Sequence, residues 1–135
     1  MRIPHRLVSN NEIAATRRAF LIQAKEILNS IDGVNAWEFS GEARLFVKRW
    51  DPLIDSTTQK SLPDICMMSA KQLYKNIKVF KSGLSYIIDT VEQGAVDDAK
   101  MIEAIDCVHS WVNYDRKTVD LIQSIMTGAG QAPSD

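Results

Sequence analysis

Eight residues, Cys66, Ala70, Leu73, Ile77, Phe80, Leu84, Ile87 and Val91, follow one another at alternating spacings of four and three. Such a stripe returns to one side of an α-helix every turn and is the pattern of helices packed at a shallow crossing angle. Met101, Ile105, Val108, Val112, Asp115, Val119, Ile122 and Met126 repeat the rhythm, with Asp115 as its one polar member. Two long one-sided rods therefore constrain the fold, and the chain predicts an all-α protein. No paired alternating strands and no solenoid-length repeat compete with that reading.

Signals at the helix ends divide the chain into four. Ser9 with Glu12 reads as a capping box, and Ile13, Phe20, Ala24, Ile27 and Ile31 follow before Asp32-Gly33 closes the first helix. A shorter second helix runs from Asn35 to about Trp50 and stops at Asp51-Pro52, because the residue before proline disfavours helical geometry. Residues 51–61 read as a loop. Ser61, Pro63 and Asp64 suit the start of the third helix, Gly83 permits a kink or a close helix approach within it, and Gly94 ends it. The fourth opens at Asp97-Asp98 and reaches Thr127. Residues 1–127 are thus expected as a single helical domain, and 128–135 as a flexible tail.

Four helices with short connections pack most simply as an antiparallel up-down bundle. At 1.5 Å per residue the third and fourth would reach ~45 Å, the first ~33 Å and the second ~24 Å. Part of the long stripes then needs a cover: either Leu53, Ile54 and Leu62 fold back, or a second subunit docks. Homodimerisation through the third and fourth helices is the working expectation. Arg17 and Asp115 interrupt apolar stripes, and either a register-fixing pair across the core or two separate boundary positions accounts for them. Trp37, Phe39 and Trp111 cannot all face one core side, and Trp37 and Trp111 are expected as boundary packing rather than as interface anchors.

At 135 residues with 45% hydrophobic and 24% charged content, the chain has the balance of a soluble domain. No apolar run approaches the ~20 residues of a membrane span. The N-terminus leads into no apolar stretch, so no signal peptide is expected. Cys66 and Cys107 are too few for a disulfide framework and read as buried free thiols in a cytoplasmic protein.

Catalysis finds little support. His5 and His109 are the two histidines, and Asp106-x-x-His109 lacks the further ligands of a di-iron bundle. Cys107 and His109 point about 200° apart on a helix. With no nucleophile elbow or phosphate loop, the expectation is a non-enzyme with no catalytic residue, no metal and no cofactor.

The net charge of −1 conceals a division. Residues 1–88 hold thirteen Lys/Arg against eight Asp/Glu, a net of +5; residues 89–135 hold three against nine, a net of −6. Lys71, Lys75, Lys78 and Lys81 occur with no acid between Asp64 and Asp89 and with Tyr74 among them, while Arg44, Lys48 and Arg49 charge the second helix. Solvation alone is one account of such a strip. As a site, these eight residues suit a protein-interaction module of adaptor, inhibitor, immunity or chaperone type, recognising its partner through a charged helical face. The alternative is a nucleic-acid-associated subunit gripping the phosphate backbone through the lysines. No membrane partner is expected.

Overall fold

The computed structural model describes residues 8–31, 36–58, 69–110 and 116–131. Among them the chain forms seven helices and no strand: α1 (Asn10–Ser30), α2 (Ala36–Arg49), α3 (Asp51–Thr58), α4 (Ala70–Lys75), α5 (Ile77–Glu92), α6 (Asp98–Ser110) and α7 (Arg116–Gln131). The all-α expectation holds. The four continuous rods do not.

α1 begins as its sequence signals indicate: the Ser9 hydroxyl accepts the Glu12 amide at 3.0 Å, satisfying a donor the first turn leaves open. Its buried face, Ile13, Phe20, Ala24 and the C-cap Ile31 included, makes it the central element, touching α2, α5, α6 and α7. It runs antiparallel to α5: Arg17 reaches the backbone of Val96 just beyond the C-terminal end of α5, Lys25 pairs with Glu92 at that end, and Leu28, further along α1, lies beside Lys81 and Ser85 further back in α5.

Asp51-Pro52 ends α2 but opens no loop. Proline lacks the amide that a first helical turn leaves unpaired anyway, so Pro52 sits in the first turn of α3, and the amides of Leu53 and Ile54 both bond the Trp50 carbonyl at 3.0 Å. Leu53 and Ile54 are buried, which gives the folded-back cover the long stripes require. Leu62 lies outside the described residues.

The third rod is interrupted twice. Ser69 has extended backbone (φ −75, ψ 165), as Ser9 does (φ −77, ψ 160), and forms a reciprocal capping box with Gln72 at 3.1 and 2.8 Å, so α4 starts at Ala70. The Ser61, Pro63 and Asp64 start signals, with Cys66, lie outside the described residues. Asn76, at φ −108 and ψ 19, then separates α4 from α5. Its side chain donates to the Gln72 carbonyl at 2.8 Å and its own carbonyl accepts the Phe80 amide at 3.0 Å, so one residue closes one helix and opens the next. Gly83 is buried inside an unbroken helix, which agrees with a close helix approach there.

α5 ends in a Schellman motif: the Gly94 and Ala95 amides return to the Val91 and Thr90 carbonyls at 3.1 and 3.2 Å. That closure requires a left-handed residue, and Gly94 supplies it at φ 74. Asp97 caps α6 through the Lys100 amide at 3.0 Å. α6 and α7 touch one another, which segments of one straight rod six residues apart would not do at ~9 Å of rise. Residues 111–115, with Trp111 and Asp115, lie outside the described residues. α7 continues through Gln131, past the Thr127 at which the fourth helix is expected to end.

The core centres on three rings. Phe20 stacks on Phe46 with centroids 5.4 Å apart and meets Trp50 edge-on at 5.3 Å. Beside them the Gln23 amide joins three elements: its oxygen accepts the Trp50 indole N–H at 2.8 Å and Arg49 at 3.4 Å, and its nitrogen donates to the Thr118 hydroxyl at 2.8 Å. Leu73, Phe80, Leu84, Ile87 and Val91 from one stripe and Met101, Ile105, Val108 and Ile122 from the other are buried as the spacing predicts. No helix among the described residues is long and apolar enough to cross a membrane.

Candidate interaction face on α4 and α5

Burying Leu73, Phe80, Leu84, Ile87 and Val91 turns the opposite sides of α4 and α5 to solvent. Lys71, Tyr74 and Lys75 on α4 are exposed, as is Lys78 on α5, while Lys81 is half-buried. Lys78 and Lys81 border an open trough with Ser82, Ser85 and, from α1, Leu28. None of the four lysines forms an ion pair with a described residue.

The acidic region behaves differently. Glu92 is paired with Lys25, Asp98 lies 3.9 Å from Arg17, and Glu103 accepts Lys100 at 3.2 Å. Three of the nine acids counted in the second part of the sequence are therefore paired within the molecule. The four lysines have no such partner among the described residues.

The three second-helix cations differ in their surroundings. Arg49 is buried at 8% exposure and turned toward Gln23 on α1, which removes it from any external surface. Arg44 is half-buried with a partner of its own. Lys48 is exposed, and its backbone carbonyl accepts the Cys107 thiol at 3.7 Å. Cys107 is half-buried and in no disulfide; Cys66 lies outside the described residues, as do the side chains of Trp37 and Phe39. Arg17 donates to the Val96 carbonyl at 2.9 Å, where it fastens the α5–α6 turn to α1.

Sequence reasoning passed over two members of the face. Val79 and Tyr86 are 53% and 52% exposed, comparable to Tyr74 at 49%, and unusual for side chains so apolar. Their signal was present: seven residues apart, they recur on one side of α5 opposite its core stripe.

A second polar feature lies between α1, α6 and α7. His109 Nε2 is 3.6 Å from the carboxylate of the nearly buried Glu12, at a cleft of about 260 Å³ floored by Val119, Ile122 and Met126. Its histidine thus answers to a carboxylate on α1, not to Asp106 on its own helix. Among the described residues no three His, Cys, Asp or Glu side chains converge as a metal site would need.

No family model matches this chain, and no curated protein or solved structure matches it either.

Proposed function

We propose that this protein is a non-enzymatic interaction module, of adaptor, inhibitor, immunity or chaperone type, that binds another protein through the outer face of α4 and α5. One observation carries the reading: Lys71, Lys75, Lys78 and Lys81 hold no ion pair with a described residue, on the same two helices that expose Tyr74, Val79 and Tyr86. Unpaired charge steers encounter with an oppositely charged surface. Large side chains that bury on contact supply the anchoring. Cys107, in no disulfide, suits work in a reducing compartment such as the cytoplasm.

The test is capture of partners by the parent protein and by a variant carrying Lys→Glu at positions 71, 75, 78 and 81. The proposal expects a protein retained by the parent and lost by the variant; equal capture by both refutes it. Tyr74 amid lysines favours a second reading, binding of single-stranded nucleic acid by phosphate contact and base stacking. Affinity for a generic oligonucleotide that falls steeply with salt and vanishes in the same variant would support that reading.

A further inference from the structure

On α5 the charge changes sign along a single exposed face. At 100° per residue, Lys78, Val79, Ser82, Ser85, Tyr86 and Asp89 fall within an arc of about 120°. All are exposed except the half-buried Ser85. Lysine stands at one end, aspartate at the other, and Val79 and Tyr86 lie between them on either side of Ser82. Neither Lys78 nor Asp89 forms an ion pair with a described residue.

A surface arranged in this way is complementary to itself when reversed. We infer that the outer face of α5 docks antiparallel against the same face of a second copy, about a twofold axis beside Ser82. Val79 of each copy then lies near Tyr86 of the other, and each Lys78 comes within side-chain reach of the opposing Asp89. Ser82 and Ser85 are small enough to let the two helix axes approach closely. A parallel arrangement would oppose lysine to lysine and aspartate to aspartate, so charge selects the antiparallel one. The pairing names a second copy as occupant of the α5 half of the proposed interaction face, and it rests on that reading. It leaves Lys71, Tyr74 and Lys75 on α4 for another ligand.

One pair of 16-residue helices buries less than the ~1,200 Å² of a stable specific complex. The dimer is accordingly weak and reversible, with a dissociation constant of about 10–100 μM.

Sedimentation velocity over about 5–500 μM, interpreted with mass action, tests the inference. The parent protein should shift from monomer to dimer across that range. Lys78→Glu and Asp89→Lys should each weaken association about tenfold, and the double swap should restore it to within about threefold, because each copy then presents the pair with signs exchanged. Ser82→Cys should give an oxidised, disulfide-linked dimer beyond any that the parent's own cysteines form, since two positions beside the axis meet the Cα separation of roughly 4.4–6.8 Å that a disulfide needs. Monomer at every concentration overturns the inference, as does a double swap no stronger than the single variants. If the protein stays monomeric while the fourfold lysine variant still loses its captured protein, the second copy fails and the interaction face stands. If capture is indifferent to the lysines, the face itself fails.

Discussion

Gln23 offers the sharpest test of how the core is joined. Its amide serves Trp50, Arg49 and Thr118 from three other parts of the chain, and both Trp50 and Thr118 are fully buried. Gln23→Met keeps the length and apolar stem of the side chain while removing its acceptor and its donor. The bonds to Trp50 and Thr118, ~1 kcal/mol each, disappear along with the long 3.4 Å contact from Arg49, which adds little, and the Trp50 indole N–H is left in a dry environment at ~1–2 kcal/mol more, for a total of about 3–4 kcal/mol. Gln23→Glu keeps the acceptor, faces Arg49 with a charge, and lets the Thr118 hydroxyl turn to donate; it should cost less than ~1.5 kcal/mol. Urea unfolding followed by circular dichroism gives both values, provided the denaturant slope is unchanged. The decisive quantity is the coupling in a Gln23→Met, Trp50→Phe cycle. Trp50→Phe removes the stranded donor, so the double variant should be at least ~1 kcal/mol more stable than the sum of the singles implies. Equal losses for Met and Glu, or a coupling below ~0.3 kcal/mol, would show that the hub contributes nothing beyond packing.

Three further substitutions probe other links. Gly94→Ala places a side chain at φ 74, and equilibrium unfolding should show a loss of about 1–2 kcal/mol although no atom lies within 4 Å of the added carbon. Ser69→Ala removes one half of the α4 capping box. It should cost ~1 kcal/mol or less, with hydrogen exchange speeding selectively at Gln72 and Leu73 rather than across α5. Phe20→Ala opens the ring cluster with Phe46 and Trp50; a fall of about 3–5 kcal/mol is expected in thermal or denaturant unfolding, and a loss under 1.5 kcal/mol would place Phe20 outside the core.

What the sequence made legible was the buried side of each helix. Phe80, Leu84, Ile87 and Val91 declare themselves by spacing because burial selects every third or fourth position, and they are buried. The same signal is blind to breaks. Asn76 occupies an exposed position between Leu73 and Ile77, so the apolar phase runs through it undisturbed while the backbone leaves the helix there. Pro52 is ambiguous for another reason: proline both ends a preceding helix and suits the first turn of a following one, and burial of Leu53 and Ile54 decides between them. On the candidate face, the exposure of the lysines was readable from their place off the stripe. Arg49 was misread because charge suggests surface, whereas its partner, Gln23, lies twenty-six residues away and only tertiary packing brings it near. Val79 and Tyr86 were legible in principle, since a helical wheel of α5 sets them opposite the core.

The break at Asn76 has an electrostatic consequence. In one continuous helix, Lys71, Lys75, Lys78 and Lys81 would lie within an arc of ~120° and form a single ridge of charge. Divided between α4 and α5, they form two couples whose mutual orientation is set by a neutral amide bonding the Gln72 carbonyl. Replacing that asparagine with a strong helix former would re-aim half of the positive field without altering a single formal charge.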